Sequence, residues 1–345
     1  MSLLINFLKE LSTEFKIENN ILIDYHGRGG EVVVPEGVTS IGTAFYRNTK
    51  VTSIVIPDSV TFIKERAFYK CYNLKKIVIP DSVQFIDERA FEFCGNLNHV
   101  RIPDGISSLG YRTFGDCYSL SDLKIPPSVV RIHGCAFDCR FTYDIDNGIP
   151  WSRKLSENSG DFVIIGKVLF RYRGNQKKVI VPDNIVTIAD HAFIPFTPES
   201  IVIPDNVSLI EKDAFNSFDQ FNRERPILRR IEYHHIAFLL SERFNYMQAL
   251  ELIDNIRKLL SGSEDAEVLN YLREHRTDLL FLDSLDIFQR ILDSGKIFTK
   301  DNIDEFIRYT AENQKHEFQI MLMNYKKGKN WYETIKSVIR NKFKL

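Results

Sequence analysis

The sequence predicts a repeat solenoid, built as two blocks of short β-rich coils, five and then two, followed by an α-helical region. Three observations carry this. One unit of about 23 residues returns seven times over the first two thirds of the chain. Its spacing breaks once, between Pro126 and Pro182. Beyond Arg225-Pro226 the prolines stop, glycine thins out, and apolar residues recur every three or four positions.

The unit reads Ile-x-Ile-Pro-Asp-x-Val-x-x-Ile-x-x-x-Ala-Phe. Its prolines are Pro35, Pro57, Pro80, Pro103, Pro126, Pro182 and Pro204. Nine or ten residues after each stands Ala44-Phe45, Ala67-Phe68, Ala90-Phe91, Thr113-Phe114, Ala136-Phe137, Ala192-Phe193 or Ala214-Phe215.

In Leu74–Ile79, the alternation of Ile77 and Ile79 with Lys76 and Val78 marks a short strand with one face inward. Pro80 lacks the N–H that would continue the ladder, and Asp81-Ser82 turns the chain. Val83 and Ile86 then point inward from a second extended segment, Ala90-Phe91 fills the core from a tight turn, and Cys94 and Leu97 close the coil. A lone coil orders too much backbone for the few apolar side chains it hides. Stacking buries both flat faces of each inner coil, so such units occur as arrays.

The stretch Leu74 to Cys94 matches Leu-x-x-Ile-x-Ile-Pro-x-x-Val-x-x-Ile-x-x-x-Ala-Phe-x-x-Cys almost literally, and residues 15–220 resemble the BspA-like leucine-rich repeat family. That resemblance implies a BspA-type leucine-rich-repeat solenoid and, for function, the recognition of macromolecules at a bacterial or protist surface.

The break is itself patterned. Phe162 to Tyr172 followed by Pro182 parallels Phe15 to Tyr25 followed by Pro35, at the same distances. In both, an apolar hairpin (Ile21-Leu22-Ile23; Val168-Leu169-Phe170) leads into a first coil. The expected organisation is therefore an N-terminal amphipathic helix over 1–14, block one over 15–140, a connecting loop over 141–161 holding Trp151, the second hairpin and block two over 162–225, and an α-helical region over 226–345. Helical periodicity covers Tyr246–Leu260, Glu264–Glu274, Leu285–Leu292, Asn302–Ala311 and Lys315–Tyr325. Ile297–Tyr325 resembles an ankyrin-type helix pair without that family's Thr-Pro-Leu-His signature, so the region reads as ankyrin-like or as another α-solenoid. His234-His235 is read as opening a helix.

Basic and acidic residues number 45 and 46, which argues against a chain-wide nucleic-acid or membrane footprint. The run of lysines and arginines from Lys326 onward reads as the solvated face of a last helix. No apolar stretch is long enough to span a bilayer. Met1–Phe15 lacks the basic front, long apolar run and small-residue cleavage site of a signal peptide. Cytoplasmic residence is the reading of this sequence, and a surface adhesin would need an export signal upstream of Met1. Five cysteines give no disulfide framework.

The sequence holds no Gly-rich phosphate loop, His-Glu-x-x-His, Gly-x-Ser-x-Gly or calcium loop, so no cofactor and no catalytic residue is assigned. Cys71, Cys94 and Cys117 fall 23 apart and read as a buried structural column. His133, Cys135 and Cys139 are three donors without a fourth, so no metal site is assigned.

Candidate binding residues lie in the outward columns. Two positions before each proline stand Val33, Val55, Val78, Arg101, Lys124, Ile180 and Val202, an apolar strip turning basic midway. Of these, Val55, Val78, Arg101 and Lys124 are singled out, with Phe62 and Phe85, which stand on adjacent coils where the repeat carries Ser40 and Ser108. Arg66, Arg89 and Arg112 form a third column, either a solvated charge ladder beside Glu65 and Glu88 or an anion-binding stripe.

The expected function is a non-catalytic interaction or scaffolding module that binds a protein, or alternatively a glycan. The rival readings are the exported adhesin and an enzyme with its site around Arg225–His235.

Overall fold

A computed structural model describes residues 14–138, 148–194, 198–215, 228, 230–233, 236–240, 246–299, 302–313 and 315–326. The expected N-terminal helix, Cys139, His234-His235 and the basic end beyond Lys326 lie outside them. The fold is a β-solenoid of about eight turns followed in sequence by helices. The chain divides into two compact units. Among the described residues, one holds those up to Asn175 with Asp183–Thr197 and Asn206–Arg225. The other holds Gln176–Pro182, Pro198–Asp205 and those from Pro226 onward.

In the first unit, each coil of block one contributes one strand to each of two sides; the parallel ladder is continuous on the first side and divided on the second between the coils of Pro80 and Pro103. The strands that precede the prolines, β3 (Gly30–Val33), β5 (Val51–Val55), β7 (Lys76–Val78), β9 (His99–Arg101) and β11 (Asp122–Lys124), form one five-stranded sheet. The strands that follow them are β4 (Ser40–Ile41), β6 (Phe62–Ile63), β8 (Phe85–Ile86), β10 (Ser108–Leu109) and β12 (Arg131–Ile132). Strand alternation sends Ile54, Ile77 and Val100 into the core and leaves Val55, Val78 and Arg101 outside.

The hairpin β1 (Phe15–Glu18) and β2 (Ile21–Tyr25) opens block one, with β2 paired to β4. A second hairpin, β13 (Phe162–Ile165) and β14 (Val168–Tyr172), is followed by β16 (Thr187–Ile188) and β18 (Leu209–Ile210) in one sheet. The two hairpins share their register: Phe15 faces Tyr25 and Phe162 faces Tyr172, with an irregularity after the second residue pair of each. Each tyrosine lies over a glycine two residues later. A Cβ on Gly27 would meet Tyr25 Oη at 2.2 Å, and one on Gly174 would meet Tyr172 Oη at 2.4 Å, so neither position admits a side chain.

The third side of each coil is a turn whose N–H groups bond the next coil, as Phe68 N does to Ala90 O (2.8 Å) and Phe91 N to Thr113 O (2.9 Å). Arg66, Arg89 and Arg112 carry the left-handed conformation these turns need (φ 57°, 55° and 50°). Inside the turns, the phenylalanine rings stack from coil to coil: Phe45 to Phe68 at 5.4 Å, Phe68 to Phe91 at 5.1 Å and Phe91 to Phe114 at 5.3 Å. Side chains seal the spine. Cys71, Cys94 and Cys117 are buried free thiols donating to Phe45 O, Phe68 O and Phe91 O. Ser59, Ser82 and Ser128 donate to the carbonyls of Val38, Val60 and Ile106 on the preceding coil.

The stretch expected as a connecting loop contains a helix, α1 (Pro150–Glu157). Pro150 starts it, where its missing N–H is not needed. Trp151 sets its ring edge-on to Phe137 at 5.1 Å, and its N–H bonds Leu120 O. This contact helps to cover Phe137, whose ring faces the end of block one.

In the second unit, β15 (Lys178–Ile180), β17 (Ser200–Ile203) and β19 (Arg230–Tyr233) run parallel, and β20 (Ile236–Leu239) returns antiparallel to β19. The sequence reading begins the helical region at 226 and starts a helix at His234-His235. Strands flank those two residues instead. Arg-Ile-Glu-Tyr is short, but Ile231 pairs with Ile201 and is buried, which suffices for an added strand. The helices follow: α2 (Tyr246–Leu260), α3 (Ala266–Glu274), α4 (Leu285–Asp293), α5 (Ile303–Glu312) and α6 (His316–Lys326). Asp265 and Ser284 cap α3 and α4 by accepting from Glu267 N and Ile287 N. Phe288 packs on Phe298 (5.7 Å) and Phe318 (4.7 Å), and Phe298 on Phe306 (5.0 Å), giving these helices their own core.

Truncating the middle of the spine should separate core from surface. Phe91→Ala is expected to lower stability by about 3–5 kcal/mol, whereas Phe85→Ala on the outer face should cost under about 1 kcal/mol, both read from urea-denaturation midpoints.

Candidate interaction surface

The outward column of the first sheet is in register, with Val33 opposite Val55 and Val55 opposite Val78. These valines are 65%, 41% and 44% exposed, although they stand on a sheet whose inward residues are buried. Arg101 and Lys124 continue the column as an adjacent pair. Arg101 bonds Asp81 at 2.7 Å and lies 3.8 Å from Asp104, and beside it His99 Nδ1 contacts Asp122 at 2.7 Å. Lys124 is exposed. On the second sheet, Phe62 and Phe85 pair across β6 and β8 with ring centroids 5.6 Å apart, and Phe85 is 56% exposed. Ser40, in the same column, is buried, whereas Ser108 is exposed.

The arginine column does not behave as one stripe. Arg66 pairs with Glu65 at 3.1 Å in solvent. Arg89 lies over the Tyr111 ring at 5.0 Å and 3.7 Å from Glu92. Arg112 is fully buried, with its guanidinium on Glu92 (2.5 Å) and Asp116, and Tyr118 Oη donates to Asp116 at 2.6 Å. The anion-stripe expectation therefore fails at Arg112, because the cation is already neutralised inside the protein by two buried carboxylates. Glu92 and Asp116 occupy the positions of Tyr69 and Phe93 one coil earlier, a local departure from the repeat that the arginine spacing alone does not reveal.

A second polar cluster sits where the blocks meet, within the first unit. Arg171 is buried and donates to Gly134 O at 3.0 Å and to His191 O, bridging turns of Pro126's coil and Pro182's coil where the regular ladder is interrupted. Gly134 is packed so closely that a Cβ would fall 1.8 Å from Asp190 O. Arg131 pairs with both oxygens of Glu211. His133 Nε2 and His191 Nε2 lie 3.1 and 3.0 Å from Asp190 Oδ2. Since His133 Nδ1 accepts from Cys135 N–H, its neutral ring carries the proton on Nε2 and donates to Asp190. Asp190 and His191 were not singled out in the sequence. Their meeting with His133 depends on coils 56 residues apart coming together across the insert.

Burial pushes the carboxyl of Asp190 up to about 6, reinforced by Asp213 and Glu211. Burial, together with Arg171, drives His191 down to about 4, and burial also lowers His133. Burial raises the thiol of Cys135. Among the described residues, no group of three His, Cys, Asp or Glu is placed to hold a metal ion. Of the stretch Arg225–His235, only Leu228 and Arg230–Tyr233 are described, and Arg230 is engaged by Glu232 (2.9 Å) and Asp283 (2.6 Å).

A family model of the BspA type leucine rich repeat region matches residues 25–142 and 159–233 in six copies. The chain belongs to this family. The gap in the match falls on the insert that carries α1. No curated protein matches this leucine-rich repeat chain. Among solved structures it is similar to a leucine rich cell surface protein from Faecalibacterium prausnitzii (24% identity over 63% of this chain and 74% of that one, TM-score 0.33). It is also similar to the T. pallidum leucine rich repeat protein (22%, 58% and 84%, 0.37) and to the pneumococcal vaccine antigen PcpA (16%, 64% and 67%, 0.32). Among the described residues, no helix is long and apolar enough to cross a membrane.

The junction should titrate with opposing signs. His191 binds a proton less readily when folded (about 4, against 6.5 in the free side chain), so its contribution is lost as pH falls from about 6.5 to 4. Asp190 binds one more readily when folded (about 6, against 3.8), so its contribution grows over much of the same descent. Asp190→Asn removes the second effect, and its thermal midpoint is expected to fall more steeply than wild type between pH 6.5 and 4.

Proposed function

We propose that this leucine-rich repeat protein is a non-catalytic interaction module that binds a protein partner on the outward face of its first sheet. The observation that carries the reading is the valine strip: Val33, Val55 and Val78 are solvent-exposed in consecutive strands, on a backbone held by the pairing of β3 with β5 and of β5 with β7. A contiguous apolar strip is costly to leave in water, and one held rigid loses little entropy on binding. Arg101 and Lys124 extend it with a polar end that would orient the partner. The buried polar groups support the same reading. Arg112 is engaged by Glu92 and Asp116, Arg171 by backbone carbonyls, and Asp190 by two histidines, as parts of the scaffold rather than as groups presented to a substrate.

The test is comparative capture from cell and extracellular-matrix extracts, with each retained protein identified by mass spectrometry and its affinity then measured by calorimetry. Val33→Thr with Val55→Thr and Val78→Thr, which keeps the branched strand residues but removes the apolar strip, is expected to weaken the identified partner at least about tenfold, the effect of losing roughly 1.4 kcal/mol, with the thermal midpoint little changed. Equal binding by wild type and the triple variant, or retention of nothing by wild type, would overturn the assignment.

A further inference from the structure

The second sheet of block one is not a uniform surface. Two residues per coil face outward from it: Phe62 and Lys64, Phe85 and Asp87, Ser108 and Gly110, Arg131 and His133. The coil of Ser108 and Gly110 has almost no outward side chain, while both neighbours have large ones. The result is a trough of about 280 Å³ floored by Ser108, Leu109 and Gly110. Ile86, Asp87 and Glu88 wall one side, and Arg131, His133 and Glu211 the other. Glu88 folds over the floor, since a Cβ on Gly110 would meet its Cγ at 3.0 Å. Phe85 stands two residues before Asp87 on the same side of the strand, so its exposed ring lies next to the trough, with the half-buried Phe62 ring behind it on the preceding coil.

The charges in this trough do not cancel. Arg131 is tied to Glu211 by both oxygens. Burial lowers the pKa of His133, whose Nδ1 accepts from Cys135 N–H and whose Nε2 faces Asp190. Asp87 and Glu88 remain, and neither has an ion-pair partner among the described residues. Burial raises the carboxyl of Asp87, as does Glu65, while a backbone bond from Glu65 and the charge of Lys64 act the other way. Glu65 itself is paired with Arg66. The trough thus offers two carboxylates beside the exposed ring of Phe85. Its volume lies at or below the smallest small-molecule sites, but it accommodates one long side chain. Metal ions are a poor fit, given that no three ligating groups converge among the described residues. An anion would be repelled by Asp87 and Glu88. A lysine or arginine satisfies these features: its charge meets the carboxylates, its stem lies across the small residues of the floor, and a neighbouring apolar group packs on Phe85.

We propose that the trough over Ser108 and Gly110 is a docking site for a lysine or arginine side chain of a protein partner, with the partner's adjoining apolar residue resting on Phe85. This rests on the chain being an interaction module but not on the valine strip, which lies on the other sheet.

The experiment uses the full chain labelled with nitrogen-15 at low salt, and three capped pentapeptides, Gly-Leu-Xaa-Gly-Ser, with Xaa arginine, lysine or the uncharged isostere citrulline. The arginine and lysine peptides are expected to shift the backbone amides of Glu88, Ser108 and Gly110 at millimolar concentration, with citrulline weaker by about fivefold. Asp87→Asn with Glu88→Gln should remove that preference while leaving the thermal midpoint in place. Phe85→Ala should weaken all three peptides equally. The inference is overturned if neither cationic peptide moves Ser108 or Gly110 up to about 10 mM, if citrulline matches arginine, or if the double variant binds as wild type does. A silent trough alongside partner capture that depends on the valines would leave the interaction module standing and remove only this site.

Discussion

One phenylalanine per coil, at the same offset from the same proline, holds block one together. Phe45, Phe68, Phe91 and Phe114 stack at 5.1–5.4 Å with nearly parallel planes. That separation is close to the spacing of neighbouring strands. The ring stack and the strand ladders are therefore commensurate, and each enforces the register of the other. Once the rings are in line, every other position of the repeat is in line too: valines above valines, serines reaching the preceding carbonyl, thiols capping the preceding phenylalanine. The surface is then a set of straight columns, and a departure from the repeat becomes a local feature at a known place.

The stack loosens toward the end of the block, at 6.4 Å between Phe114 and Phe137, and there the structure changes its means of cohesion. Trp151 and Phe170 take up the exposed face of Phe137. Side chains replace part of the missing backbone ladder: Arg171 reaches carbonyls on both neighbouring coils, Arg131 reaches Glu211, and Asp190 joins two histidines. Buried charges are expensive unless every donor finds an acceptor, so this junction depends on accurate placement more than the uniform coils do. The same holds for Arg112 between Glu92 and Asp116.

Function separates from folding along the same columns. Positions facing inward stay apolar or small from coil to coil because they are buried against the same column in the neighbouring coils. Positions facing outward are free to vary, and their variation writes the valine strip, the phenylalanine pair and the trough between Asp87 and His133. The trough arises by omission. Two small residues on one coil, between larger ones, create a concavity that no single side chain announces.

The sequence by itself determined the coil, its length, the two hairpins and the helices from Tyr246 onward, because these follow from local alternation, proline stops and helical periodicity. The paired registers of Phe15 with Tyr25 and Phe162 with Tyr172 are the clearest case. Only the tertiary structure decided what the coils do to one another across the insert. It made α1 a cover for Phe137, extended the sheet of β15 and β17 with β19 and β20, buried Arg112 rather than exposing it, and brought Asp190 to His133. The physical reason is range. Periodicity reports which way a residue faces, but burial, pairing and charge state depend on what the fold stacks against it.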